Sequence, residues 1–336
     1  ERVERPFTVF DVPLQVSSTV GIAVSTKHGA DADLLLQRSE VAIDLAREKR
    51  LTVDFYDADR DTNDASRVRL MAELRDAIDS RQLHVVFQPI VSFATGEVES
   101  VEALVRWNHP TRGLLTPDEF IPIAEETGLI VPIGEWVISR VCRQLADWAA
   151  MGLRGMSVSV NVSPRQIAQS DFPQRLHAIL EQESILPNQI NLEITESVMS
   201  DQSRSFLNRI QDLQSAGFTM VMDDFGTGYS SLSQLRTLPF SVLKIDKAFV
   251  LHLPERPADR QLVDAMIRMA HALGRIVVAE GVETEEHAEI LTRMSCEMAQ
   301  GWLYGKPLRP EEITAWLLAE REKRKAADPG DATPAI

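Results

Sequence analysis

Residues 157–162 read Ser157-Val158-Ser159-Val160-Asn161-Val162, so an apolar β-branched residue follows each polar one. This period of two predicts a β-strand whose three valines share one face, while Ser159 and Asn161 share the other. Short β-rich segments of this kind recur along the chain, each followed by a helical pattern. Eight strands are predicted in this way, at 84–91, 98–107, 157–162, 190–195, 219–223, 241–246, 275–280 and 299–303.

The order of these strands indicates a barrel. Strands that alternate with helices form parallel α/β folds, and the range 83–320 is close to the roughly 250 residues typical of a (β/α)8 barrel. Only Ser92-Phe93-Ala94-Thr95-Gly96-Glu97 separates the first two strands, which is too short for a parallel crossover. The predicted fold class is therefore α/β, a modified TIM (β/α)8 barrel with an antiparallel first strand.

A small α/β fragment is predicted at the N-terminus, over residues 1–57. Residues 16–24 and 51–56 have the composition and alternation of strands, and residues 31–49 carry apolar side chains at helical spacing. A unit of this size has a thin core and is marginally stable by itself.

The two remaining segments are predicted from their composition. A linker helix is expected over 58–82, because Leu70, Leu74 and Ile78 follow one another at intervals of four among charged residues. Residues 321–336 are expected to be a disordered tail, since Ala, Asp, Pro and Gly dominate its end.

Composition limits the classes of partner. A formal net charge of -15 and a pI near 5.0 argue against a nucleic-acid polymer, which requires clustered Lys and Arg. An acidic site that holds divalent metals can still accept a phosphodiester. No apolar run is long enough to span a membrane, and Cys142 and Cys296 lack Cys-x-x-Cys spacing. These features predict a cytoplasmic protein, either by itself or as the cytoplasmic part of a larger membrane-anchored protein.

Polar residues recur where the predicted strands end, which is where α/β barrels hold their chemistry. Each has an ordinary structural explanation when taken singly. The pair Asp223-Asp224 is compatible with a loop or helix cap, and Glu283 with an acid at a helix start. Lys244 can extend out of the sheet, and Glu102 can pair with Arg106 as a structural bridge. The recurrent residues are Glu102, Asn161, Glu193, Glu196, Asp223, Asp224, Lys244 and Glu280.

Taken together, these residues favour a metal site. Several carboxylates that converge at one barrel mouth repel one another strongly unless cations lie between them. A ligand set of oxygen atoms, without His or Cys, favours Mg²⁺ or Mn²⁺ over Zn²⁺. Two such ions stabilise the attacking and leaving oxygens of an in-line displacement, which suits phosphodiester hydrolysis. Lys244 would orient the attacking water or neutralise phosphate charge.

The same residues belong to longer motifs. These are Phe87-Gln88-Pro89-Ile90, Glu102-Ala103-Leu104 with Arg106-Trp107, Asn161-Val162-Ser163, Glu193-Ile194-Thr195-Glu196, Asp223-Asp224-Phe225-Gly226-Thr227-Gly228-Tyr229-Ser230-Ser231, Lys244-Ile245-Asp246, Glu280-Gly281-Val282-Glu283 and Gln300-Gly301. In this order they resemble the EAL family of cyclic di-GMP phosphodiesterases, and the match covers residues 83–318. The resemblance implies a hydrolase that opens cyclic di-GMP to linear pGpG with two divalent cations, Mg²⁺ or Mn²⁺.

The resemblance also implies a role for each motif residue. The metal ligands or their close partners are Glu102, Asn161, Glu193, Asp223, Asp224 and Glu280. The catalytic residues are Glu102, Asp223, Lys244 and Glu283. Contacts with the dinucleotide come from Gln88, Leu104, Arg106, Gln300 and Gly301. Glu196 anchors the loop that begins at Asp224, which the family links to control and to a homodimer formed through the barrel.

Residues 1–57 resemble the C-terminal part of a GGDEF, or diguanylate cyclase-like, domain. The resemblance rests on Ser18-Thr19-Val20-Gly21-Ile22-Ala23 and Ser39-Glu40-Val41-Ala42-Ile43. The Gly-Gly-Asp-Glu-Phe signature is absent from the sequence, which implies that this chain lacks cyclase activity. Two alternatives to a phosphodiesterase stay open: a catalytically silent receptor for cyclic di-GMP, and a structural barrel whose acids are solvated caps.

Overall fold

A computed structural model describes residues 7–9, 12–14, 18–49, 51–57, 65–199, 204–228, 235–236 and 238–327. The chain divides into two units, Glu1–Glu73 and Leu74–Ile336. Within the described ranges, every helix is too short or too polar to cross a membrane.

The described residues of the N-terminal unit form two small sheets, one long helix and the first part of a second helix. Its elements are β1 (Phe7–Val9), β2 (Val12–Leu14), β3 (Val20–Ile22), α1 (Ala32–Glu48) and β4 (Val53–Phe55). β1 pairs with β2 antiparallel, whereas β3 pairs with β4 in parallel. The Asp31 carboxylate caps α1 by accepting from the Leu34 N–H at 3.1 Å. The strands β3 and β4 lie inside the predicted strands 16–24 and 51–56, of which residues 16 and 17 lie outside the described part of the chain, and the β1–β2 hairpin was not predicted.

Helix α2 (Ala65–Asp79) occupies the predicted linker and spans the boundary between the units. Leu70 and Leu74 on this helix are buried. Residues 58–64 of the predicted linker lie outside the described part of the chain, and the role of this helix as a linker stays a prediction.

The second unit is a closed barrel of eight strands. The strands are β5 (Leu83–Ser92), β6 (Val98–His109), β8 (Ser157–Asn161), β9 (Ile190–Thr195), β10 (Thr219–Phe225), β11 (Val242–Ile245), β12 (Ile276–Ala279) and β13 (Met298–Gln300), and β7 (Gly113–Leu115) pairs with the end of β6 outside the ring. Strands β6 and β8 to β13 pair in parallel, whereas β5 is antiparallel to both β6 and β13 and closes the ring. The predicted barrel with an antiparallel first strand is confirmed.

Helices follow the barrel strands. They are α3 (Pro117–Thr127), α4 (Ile130–Ala150), α5 (Pro164–Ala168), α6 (Phe172–Gln182), α7 (Arg204–Ser215), α8 (Lys247–Val250), α9 (Pro257–Ala272), α10 (Glu285–Arg293) and α11 (Pro310–Ala327). The Thr116 N–H donates to the Glu119 carboxylate at 2.7 Å and fixes the start of α3. On the outside of the barrel, the Trp148 ring of α4 meets the Phe87 ring of β5 edge to face, with 5.4 Å between centroids.

Two boundaries differ from the predictions. Helix α11 continues to Ala327, although the tail was predicted to begin at 321, because this stretch is rich in helix-forming residues and Lys323 pairs with Glu320 at 2.6 Å. Residues 328–336 of the predicted tail lie outside the described part of the chain. The last strand ends at Gln300 instead of 303, since Gly301 turns the chain against the backbone of Val282.

Candidate active site

A cavity of about 1180 Å³ opens at the carboxyl ends of the barrel strands. Acidic residues from the ends of four strands, β6, β9, β10 and β12, line it, together with helices α3, α4 and α5 and the turn after β13. Twelve of the predicted site residues line the cavity: Gln88, Glu102, Leu104, Arg106, Asn161, Glu193, Asp223, Asp224, Glu280, Glu283, Gln300 and Gly301. Lys244 is buried among the acids, and Glu196 is buried at the end of β9. A smaller cleft of about 440 Å³, between β5, α4 and the start of α11, contains none of these residues.

Lys244 lies among four carboxylates. Its Nζ is 2.6 Å from Glu280 Oε1, 2.9 Å from Glu193 Oε2, 3.2 Å from Glu102 Oε2 and 3.5 Å from Asp223 Oδ1. The Lys244 side chain is 1% exposed, and the four carboxylates are between 0% and 18% exposed. Burial lowers the pKa of Lys244, but the carboxylates outweigh burial and raise this pKa well above its ordinary value. The four carboxylates thus favour the charged form of Lys244.

Glu102 is held by amide groups as well as by Lys244. Its Oε1 accepts from Asn161 Nδ2 at 2.7 Å, and its Oε2 accepts from Gln300 Nε2 at 2.6 Å. Gln300 Nε2 also donates to Gln88 Oε1 at 3.2 Å, and Gln88 Nε2 donates to the Gly305 carbonyl at 3.1 Å. Burial raises the pKa of Glu102, but Lys244 and these hydrogen bonds hold the pKa below its usual value. Glu102 is thus an ionised carboxylate in a fixed position.

Asp223, Asp224 and Glu280 each place a carboxylate oxygen within 4.8 Å of the others. Consecutive residues of a regular strand point to opposite faces, so an irregularity is needed for both aspartates to reach one site. The pairing of β10 with β11 shifts between Met222 and Phe225, and Asp224 has a left-handed backbone with φ 53°. This bulge brings both aspartates to the cavity.

The carboxylates of the cluster carry more negative charge than burial tolerates without compensating cations. Burial raises the pKa of Glu193 well above its usual value, that of Glu280 to about 7 and that of Asp224 to about 6. Glu193 Oε1 is buried and, among the described residues, has no hydrogen-bond partner. With Asp223 and Glu102, these five carboxylates and one ammonium have a formal charge of -4 when all are ionised. The donor set therefore fits divalent cations.

Glu196 holds the loop that follows Asp224. Its Oε2 accepts from the N–H groups of Gly226 at 2.8 Å and Gly228 at 3.2 Å. A side chain at 228 would meet the Glu196 carboxylate at 2.8 Å, and Gly226 has φ 101° with Met266 and Phe249 against it. The two glycines let the backbone approach the carboxylate closely. Residues 229–234 of this loop lie outside the described residues.

The remaining predicted residues lie at the rim. Glu283 is exposed, and its N–H donates to Nδ1 of the buried His287 at 3.2 Å. Arg106 is half-buried, and its Nη1 donates to the Val105 carbonyl at 2.9 Å. Burial lowers the pKa of Arg106, which still leaves the guanidinium charged.

Sequence patterns missed the residues of the cavity wall. Asp118, Ile121 and Glu125 of α3 line it, and Ser163 Oγ donates to Glu125 Oε1 at 2.6 Å. Trp302 lines it after β13. These residues were not predicted, because alternation marks strand faces and carries no information on which helix covers the barrel mouth.

The chain is similar to known proteins in sequence and in structure. The family model described as EAL domain matches residues 71–307. The chain is 36% identical over 94% of its length to the bifunctional diguanylate cyclase/cyclic di-GMP phosphodiesterase MucR of Pseudomonas aeruginosa, and 37% identical over 94% to the cyclic di-GMP phosphodiesterase PdeR of Escherichia coli. It spans 46% and 48% of these two relatives. A solved structure described as PaMucR phosphodiesterase, c-di-GMP complex, is similar with a TM-score of 0.70 and 41% identity, over 73% of this chain and 99% of that chain.

Proposed function

Because the chain belongs to the EAL domain family, we propose that it is a phosphodiesterase that hydrolyses cyclic di-GMP to linear pGpG with two divalent cations, Mg²⁺ or Mn²⁺. The observation that carries the proposal is the cluster of four carboxylates around Lys244, with Asp224 beside Asp223 and Glu280, at the base of the about 1180 Å³ cavity. The names of the similar proteins MucR and PdeR support cyclic di-GMP as the substrate.

The cations would be held by the carboxylates and one amide. Asn161 Nδ2 donates to Glu102, which leaves the Asn161 carbonyl oxygen as a ligand beside the carboxylates. When bound, the ions would lower the pKa of a water molecule and neutralise charge on the phosphoryl group. The proposed ligands are Glu102, Asn161, Glu193, Asp223, Asp224 and Glu280.

The protein groups around the ligands supply positioning and charge. Lys244 holds four of the carboxylates together. Its ammonium group either orients a water molecule or offsets the negative charge of the phosphate. Gln88 and Gln300 fix Glu102 through their hydrogen bonds. Arg106 lies on the cavity wall with Leu104, where a guanidinium binds a phosphate of the dinucleotide well. Glu283 at the rim completes the proposed catalytic set, and Gly301 lets the chain after Gln300 pass closely against the Val282 backbone.

The test is to incubate the full chain with cyclic di-GMP and Mn²⁺ and to resolve the products by ion-exchange chromatography. We expect linear pGpG from the parent chain and none from Glu102→Gln, which keeps the side-chain size. Binding of cyclic di-GMP by the parent chain without turnover would identify a silent receptor. If the parent chain neither binds nor cleaves the dinucleotide, the acids serve a structural barrel instead.

We also propose that residues 1–57 are the C-terminal part of a GGDEF-like domain, with a linker over 58–82, the catalytic barrel over 83–320 and a tail that starts after α11. The name of MucR, which includes a diguanylate cyclase, supports this assignment, because the match with MucR covers 94% of this chain. The parallel β3–α1–β4 arrangement is compatible with it. The cytoplasmic location and the homodimer through the barrel stay predictions.

A further inference from the structure

Trp302 has an unusual position for a tryptophan. It is 58% exposed and lines the same cavity as the acidic cluster. All five tryptophans of the chain are described; Trp107 and Trp148 are fully buried, and Trp136 and Trp316 are half-buried. Single exposed apolar side chains are common on protein surfaces. A large aromatic ring on the wall of the cavity that holds the acidic cluster is a more specific feature, since such a ring offers contact area at a low cost in conformational entropy.

The backbone that carries Trp302 is tightly fixed. A side chain at 301 would lie 2.1 Å from the Val282 carbonyl oxygen, so only glycine allows this approach. The Val282 N–H donates to the Gln300 carbonyl at 3.1 Å, and the Leu303 N–H donates to the Val282 carbonyl at 3.1 Å. The turn is therefore attached to the segment between Glu280 and Glu283, and the position of Trp302 is tied to the acidic cluster.

A cation accompanies the indole ring. Lys306 Nζ lies 4.6 Å from the centroid of the Trp302 ring, within the range of a cation–π contact. This contact restrains the ring and places positive charge beside it. A ligand that meets this pair has a flat, electron-rich face and a nearby negative charge, which are the features of a nucleotide.

We propose that Trp302 is a stacking platform for one purine base of the dinucleotide whose scissile phosphate lies at the acidic cluster. The inference rests on the proposed function and adds a specificity residue to it. Stacking is tolerant of base identity because every base presents a π face. Trp302 therefore contributes affinity for a nucleobase, while discrimination between guanine and adenine comes from groups that hydrogen-bond with the base edge.

The test is steady-state hydrolysis of cyclic di-GMP by the full chain with Mn²⁺. Trp302→Ala is expected to raise KM roughly 5- to 150-fold, the range typical of one lost base stack, with kcat changed far less. Trp302→Phe keeps an aromatic face and is expected to stay within about threefold of the parent KM. Leu114→Ala is the matched control, because Leu114 is also 58% exposed but lies on β7, away from the cavity lining.

Mn²⁺ affinity, measured by calorimetry, separates stacking from a structural effect. Unchanged Mn²⁺ affinity in Trp302→Ala together with a raised KM supports stacking. A parent-like KM in Trp302→Ala overturns the inference, and so does a joint loss of kcat and Mn²⁺ affinity, which would make Trp302 a support for the metal site. If the parent chain itself neither binds nor hydrolyses cyclic di-GMP, the proposed function fails first, and the stacking role falls with it.

Discussion

Replacement of Lys244 by Met tests whether one buried cation holds the acidic cluster together. Methionine keeps most of the length of lysine and its apolar character but removes the ammonium. In the metal-free protein, this change leaves Glu102, Glu193, Asp223 and Glu280 without the charge that now lies 2.6 to 3.5 Å from them. We expect a large loss of stability in the absence of metal and a smaller loss when divalent cations are bound.

The magnitude follows from these distances. A unit charge pair about 3 Å apart is worth roughly 5 kcal/mol at an effective dielectric constant of about 20, before the cost of burying the ammonium is subtracted. Removal of one partner from a buried ion pair typically costs about 3–5 kcal/mol, because the remaining charge stays buried without compensation. The free energy of unfolding of Lys244→Met in EDTA should therefore fall by about 3–5 kcal/mol.

The assay is urea unfolding followed by circular dichroism, in EDTA and in Mn²⁺. Lys247→Met is the control, because Lys247 is exposed at the edge of the same cavity and its loss should change stability by less than about 0.5 kcal/mol. Bound Mn²⁺ should recover part of the loss in Lys244→Met, since the cations offset the same carboxylates. A free energy of unfolding of Lys244→Met in EDTA within about 1 kcal/mol of the parent value would refute the reasoning, because the loss of one partner of a buried ion pair should cost about 3–5 kcal/mol.

Four further predictions concern metal, substrate and domain. Asp223→Asn should lower kcat by about 100-fold or more, because it weakens the metal site, whereas Arg106→Ala should mainly raise KM. A folded Asp223→Asn protein that binds Mn²⁺ normally and turns over at nearly the parent rate would contradict the metal assignment. Mg²⁺ or Mn²⁺ should support hydrolysis and Ca²⁺ should not, because Ca²⁺ accepts looser geometry; equal rates would refute this. The affinity of the protein for Mn²⁺ should rise from about pH 5.5 to about pH 7.5, because metal must displace protons from Asp224 and Glu280. Burial raises the pKa of Asp224 to about 6 and that of Glu280 to about 7. A Mn²⁺ affinity that calorimetry finds to be independent of pH would contradict this prediction. Removal of residues 1–57 should leave turnover intact, and an inactive but folded shortened chain would show that the domain assignment is wrong.

The sequence was sufficient to predict the barrel and most of the residues at the strand ends that line the cavity. Alternation with a period of two identifies both the strands and the face on which each polar residue lies. The short link between β5 and β6 leaves an antiparallel pair as the one geometry available. Because parallel strands end at a common rim, residues such as Asn161 and Glu193 had to meet there once the strands were correctly assigned.

Other features depend on register and packing, which alternation does not encode. The bulge that brings Asp223 and Asp224 to one site arises from the shift in pairing with β11, and the sequence marks it only by the adjacent acids. The contact of Lys244 with four carboxylates depends on the stagger of neighbouring strands. Gln166 was not predicted either: its amide packs on Gly134 of α4, where any side chain would collide with it. Helix-to-helix contacts of this kind follow from the shape of both surfaces.

The reversed direction of β5 changes where the chain enters the barrel. Leu83 pairs with Trp107 near the carboxyl end of β6, and Ser92 pairs with Met298 at the start of β13. The polypeptide thus arrives at the rim where the cavity opens, whereas the first strand of a regular (β/α)8 barrel begins at the opposite face. Trp107 Nε1 donates to Gln82 Oε1 at 2.9 Å, and the Asn108 N–H donates to the Gln82 carbonyl at 2.8 Å, which secures this entry point. The six residues from Leu83 to Gln88 therefore lead directly from this entry point to the hydrogen bonds that join Gln88 to Gln300 and Gln300 to Glu102.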